Sequence, residues 1–80
     1  MDPQEIAAII RAGLADAEVQ VQGDGRHFQA LIVSPAFAGK PPIQRHRMVY
    51  ALLEEHINSD VMHAISMRTL TTEQWAAEQG

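Results

Sequence analysis

Apolar residues recur at three- and four-residue spacing near the start of the chain, at Ile6, Ile9, Ile10 and Leu14. This predicts an amphipathic helix with a single core-facing stripe. Asp2 is placed to cap it, Pro3 suits its first position, and Glu5 falls where a capping box wants an acid. Gly13 weakens the last turn, so the helix is predicted to end near Ala15. Glu18-Val19-Gln20-Val21-Gln22 then alternates strictly, the mark of a strand buried on one face only. The Asp-Gly pair within Gly23-Asp24-Gly25-Arg26 predicts a turn. His27 to Val33 returns as a second strand, with Phe28, Ala30 and Ile32 on one side and Gln29, Leu31 and Val33 on the other. Ser34-Pro35 ends this hairpin, and residues 36–40 form a loop or a short helical turn.

Pro41 and Pro42 suit the first turn of a second helix, because a helix does not use its first N–H groups. The stripe Ile43, Val49, Tyr50, Leu52, Leu53 and Ile57 predicts that helix from Ile43 to about Ile57. Asn58-Ser59-Asp60 breaks it. Val61 to Leu70 is rich in β-formers and reads as a third strand, with His63 close to its start. Thr71 and Gln74 have capping-box spacing for a last helix, which Trp75 would pack onto the body. The order is α-β-β-α-β-α. It predicts an α+β fold over residues 1–80 as a single domain: a three-stranded mixed sheet with helices on one face, the third strand parallel to one of the hairpin strands.

Charge and cysteine content narrow the function classes. The chain carries six basic and ten acidic residues, a formal charge of −4, so it is not a generally basic binder of nucleic acid or anionic membrane. The charge is segregated: residues 1–24 and 54–80 each hold five acids and one Arg, whereas residues 25–53 hold Arg26, Lys40, Arg45 and Arg47 and no acid. Cysteine is absent, which excludes disulfides and any self-contained thiolate metal site. No apolar run approaches the ~20 residues of a membrane-spanning helix. The acidic start Met1-Asp2-Pro3-Gln4-Glu5 has no export or import pattern, so a cytoplasmic location is expected.

Nucleophilic catalysis has little to work with. Ser34 precedes a proline, Ser59 lies in a turn, Ser66 sits within a strand, and Glu54-Glu55 are adjacent on a helix and do not face each other. An enzyme is not expected. Of the four histidines, His46 and His56 are ten residues apart on the second helix, not the i,i+4 spacing that puts two ligands on one face. His27 and His63 each stand beside a loop at a strand end. On composition alone they read as ordinary strand-end residues; the other reading is half a site for zinc or an iron–sulfur cluster. In the second case the missing ligands must come from another molecule. Lys40, Arg45, His46 and Arg47 cluster at the start of the second helix, as a solvated face or as one that meets phosphates or an acidic partner. An RNA-clamping GxxG loop is missing, since no two glycines have that spacing.

Three stretches together resemble a known family. They are Gly39-Lys40 with Gln44-Arg45-His46-Arg47-Met48-Val49-Tyr50, then His63-Ala64-Ile65-Ser66-Met67, then Thr71-Thr72-Glu73-Gln74-Trp75. At these separations they resemble the BolA family, and Gly23-Asp24-Gly25-Arg26-His27-Phe28 looks most like its IbaG (YrbA)-like branch. The resemblance implies an α+β fold related to class II KH domains, without the GxxG loop. It implies a non-enzymatic partner of monothiol CGFS glutaredoxins that shares a bridging [2Fe-2S] cluster with the glutaredoxin and glutathione, in iron–sulfur trafficking, assembly or iron homeostasis. It assigns His63 as the ligand of the H-A-[IL]-S motif and His27 as the candidate second ligand. Some members are described as transcriptional regulators, which implies nucleic acid as the alternative partner. Thr72 stands where Pro is usual, and Pro41-Pro42 where Ser or a similar residue is common.

Overall fold

The Asp2 carboxylate accepts the Gln4 N–H at 2.8 Å and so opens α1, Pro3–Gly13, whose Ile6, Ala7 and Ile10 are buried. In the computed structural model, which describes residues 1–80, α1 stops two residues earlier than its periodicity suggested. Leu14 is already extended there, and a side chain at Gly13 would run into Leu52. β1, Glu18–Gly23, pairs antiparallel with β2, Phe28–Val33, in the register Val19↔Ile32, Val21↔Ala30 and Gly23↔Phe28. After a 3-10 turn at Pro35–Phe37 and the helix α2, Pro42–Leu53, the chain forms α3, Ser59–His63. It then enters β3, Ile65–Leu70, parallel to β2 in the register Phe28↔Ile65 to Val33↔Leu70. The final helix α4, Thr72–Gln79, carries the predicted capping box in full between Thr71 and Gln74. The sheet order is β1-β2-β3.

Alternation in the strands divides the sheet into two unlike faces. Val19, Val21, Phe28, Ala30, Ile32 and Ile65 join Ile6, Ile10, Phe37, Val49 and Leu53 in one core. Each such large side chain contributes about 1.5–3 kcal/mol by leaving water. Gln20, Gln22, Gln29, Ser66 and Arg68 point the other way and are exposed. Ser34 is fully buried and belongs to the frame: its hydroxyl donates to the Ala15 carbonyl at 2.8 Å and accepts from the Ala36 N–H.

One predicted element is corrected. Val61 to Leu70 is not a continuous strand, because residues 59–63 are helical. The Asn58 side chain accepts the Val61 N–H at 3.0 Å, and the Asn58 carbonyl accepts from Met62 N. This local cap prevails over the β preference of a five-residue stretch. α2 likewise ends at Leu53 rather than near Ile57, although the backbone bond from Ile57 N to Leu53 O carries one further turn. No helix is long and apolar enough to cross a membrane.

Candidate functional site

The starts of two parallel strands lie at one end of the sheet, so the residues just before them become neighbours. The Phe28 N–H donates to the Ala64 carbonyl at 2.9 Å. His27 precedes Phe28 and His63 precedes Ala64, so one backbone hydrogen bond joins the segments that carry the two imidazoles. Both histidines are exposed. His63 is the last residue of α3 rather than a strand residue.

His27 is held by the turn before it. The Asp24 carboxylate Oδ1 accepts the N–H groups of Arg26, at 2.8 Å, and His27, at 2.9 Å, while the His27 carbonyl accepts from Asp24 N. Gly25 takes a left-handed φ of 92°, which a residue with a side chain rarely adopts. Gly23 is needed for close approach: a Cβ there would lie 2.5 Å from the Phe28 ring. The sequence marked Asp24 and Gly25 as a turn but gave Asp24 no part in placing His27. The Asp-x-x-His spacing of an Asx-type turn is the signal for that part.

Hydrogen bonds from the His27 and Arg26 N–H groups hold the Asp24 carboxyl below its ordinary value of 3.8. With its folded pKa below the unfolded one, the order it supplies is present above the ordinary carboxylate range. That order is lost as pH falls through the lowered value. Asp24→Ala is therefore expected to speed amide exchange at Arg26 and His27 at neutral pH while the β1–β2 pairing stays intact. Unchanged exchange at those two amides would show that the turn is held without the carboxylate.

The chain offers these two imidazoles and little more as metal donors. Nowhere do three or more His, Cys, Asp or Glu side chains converge into a metal-binding group. Two imidazoles are fewer donors than a self-contained metal site needs. His46 and His56 lie on and just beyond α2, away from this end.

The basic segment divides. Arg47 is exposed, and Lys40 and His46 are half-buried, with Lys40 Nζ donating to the Ala36 carbonyl at 3.2 Å. Arg45 does not belong to this surface, a correction to the expectation that it meets a partner. It is only 7% exposed. Its Nε donates to the Lys40 carbonyl at 2.7 Å, and its Nη1 donates to the Thr69 carbonyl at 3.0 Å and to Gln74 Oε1 at 2.9 Å. Its guanidinium also lies over the Phe37 ring, 5.9 Å from the centroid. Such a buried charge is tolerated because its donors are met from three elements.

Residues 5–74 match the family of BolA-like proteins. The chain belongs to the BolA family. It is 34% identical over 79 residues to the acid stress protein IbaG of Escherichia coli strain K12, covering 99% of this chain and 94% of that protein. It is 37% identical over 57 residues to the DNA-binding transcriptional regulator BolA of the same strain, covering 71% of this chain and 53% of the regulator. A solved BolA homologue from Coxiella burnetii aligns with a TM-score of 0.83 at 36% identity, covering 95% of this chain and 97% of the homologue. The four helices and mixed sheet are thus the BolA fold, and these named relatives are a stress protein and a regulator rather than enzymes. In this BolA-family chain, His63-Ala64-Ile65-Ser66 is the α3–β3 junction. Gln44 to Tyr50 lies within α2, where Arg45 and Val49 turn inward and Arg47 does not.

Proposed function

We propose that this BolA-family chain is a cytoplasmic, non-enzymatic adaptor that pairs with a monothiol CGFS glutaredoxin and lends imidazole to a [2Fe-2S] cluster bridging the two proteins. Its role would lie in iron–sulfur trafficking, assembly or iron homeostasis. The observation that supports this most is the placement of exposed His27 and His63 on either side of the Phe28–Ala64 hydrogen bond, in a chain with no third ligand beside them. A centre completed from outside needs such a half-set. His63 is the principal donor and His27 the second, with the remaining ligands being the glutaredoxin cysteine and a glutathione thiolate.

Neutral imidazole in place of thiolate leaves an iron–sulfur centre less negative and raises its potential. Imidazole binds metal only as the free base, so a centre held in this way is sensitive to acid. Arg47 and Lys40 suit steering of an acidic partner surface more than tight contact. Mixing the protein with cluster-loaded, glutathione-bound glutaredoxin under anaerobic conditions is expected to yield a heterodimer with altered visible absorption and circular dichroism, and with iron and sulfide at cluster stoichiometry. Failure of both the heterodimer and the spectral change would end this reading.

A second reading, nucleic-acid binding, has its support in the relative named as a DNA-binding regulator and in the basic side chains Lys40 and Arg47 flanking the start of α2. Binding through them is expected to weaken steeply with salt and to be lost in Lys40→Glu/Arg47→Glu. Electrophoretic shift at low salt checks this, and absence of binding there removes the reading. Arg45 is no test, since its substitution disturbs the fold.

A further inference from the structure

The strand register lines the uncovered sheet face with rows of polar side chains. Gln22, Gln29 and Ser66 stand abreast in one row, and Gln20, Leu31 and Arg68 in the next. They border a concavity of about 410 Å3, within the size range of small-ligand sites. Its only charged lining residue is Arg68. Past Gln22 and Gln29 the surface continues into a second concavity, of about 370 Å3, whose only acid is Asp24. Carboxamides both donate and accept, so a row of glutamines matches the alternating N–H and C=O groups of an extended peptide. The cation at one end and the carboxylate at the other complement the two charged ends of a short peptide.

Arg68 already shows how it takes a carboxylate. Its Nη1 donates to Glu78 Oε1 at 3.0 Å and its Nη2 to Glu78 Oε2 at 2.6 Å, a side-on fork. Glu78 is a weakly held occupant. It sits in the last turn of α4, where the helix dipole disfavours negative charge. α4 has eight residues and buries none of them, well short of the length at which a helix persists unaided. The Arg68 and Glu78 side chains are 60% and 40% exposed, so water and salt screen the pair even though its fork is the favourable geometry.

We propose that the open sheet face binds a short extended peptide with free termini, its C-terminal carboxylate taking Arg68, and that Glu78 fills this place from within the chain until displaced. The site stands on the sheet face and α4, with Arg68 at one end, and only its Asp24 end borders His27 of the imidazole pair.

Titration of the isotope-labelled full chain with triglycine tests this. Triglycine is expected to shift resonances of Gln20, Gln22, Gln29 and Arg68 saturably at millimolar concentration, and triglycine amide to bind about two- to fivefold more weakly, the range for one exposed ion pair. Glu78→Gln is expected to tighten triglycine binding about two- to fivefold, the range set by the exposed pair it removes. Arg68→Ala is expected to abolish the difference between acid and amide. Both substituted side chains are exposed, so the fold is retained. Equal binding of acid and amide by the unaltered chain, no shifts on the sheet face, or indifference to Glu78→Gln would each overturn the proposal.

Discussion

His63→Ala is expected to leave a folded domain that no longer produces the altered visible absorption and circular dichroism when mixed with cluster-loaded monothiol glutaredoxin. The side chain is exposed at the end of α3 and belongs to no buried cluster. Its removal should therefore change stability by no more than about 0.5 kcal/mol. The ligand loss is not compensated from within the chain, because no further cluster of His, Asp or Glu stands ready and cysteine is absent. His27→Ala is expected to weaken the complex less, since the hairpin turn around it is anchored by Asp24 and the Phe28–Ala64 bond and stays in place. His56→Ala, beyond the end of α2, is expected to be silent. The decisive measurement is the spectrum of each mixture against iron content per heterodimer. A His63→Ala spectrum equal to that of the unaltered protein would remove His63 from the coordination sphere. A heterodimer retained without the cluster would separate pairing from ligation.

Arg45→Met is expected to lower stability by about 2–4 kcal/mol, a large share of what an 80-residue chain possesses. Methionine keeps much of the volume but supplies no donor. The carbonyls of Lys40 and Thr69 are then left without Arg45, and α2 loses its bond to Gln74 of α4. Part of the loss is offset because the guanidinium no longer has to be kept from water. Arg45→Lys is expected to recover little, as an ammonium cannot place two donor atoms in the guanidinium's fixed fork. Urea unfolding at constant slope measures the change, and faster amide exchange in α4 would show where the latch has opened. A midpoint within about 0.5 kcal/mol of the unaltered protein would return Arg45 to the surface class. Arg47→Ala serves as the control, because Arg47 is exposed and its loss is expected to leave the midpoint unchanged.

Features held by neighbouring residues and features held by distant ones separate along the same line. The Asp2 cap, the alternation of Glu18 to Gln22, the Asp-Gly turn and the Thr71–Gln74 capping box are each written within a few adjacent residues, and each appears as read. Local chemistry settles such features, because the partners are neighbours in the chain before folding begins. The α3 helix was also local but was hidden, since the single Asn58 cap worked against a run of β-formers.

Arg45 and Arg47 are alike in type, but Arg45 stands four and eight residues before Val49 and Leu53 of the apolar stripe, a spacing that sets it on the buried side of α2. Arg45 is buried because its acceptors lie five, 24 and 29 residues away and meet only when α2, β3 and α4 pack together. His27 and His63 likewise became neighbours through the parallel β2–β3 register. A sheet register is a long-range choice fixed by which faces bury their apolar residues together, and no short window of sequence contains it.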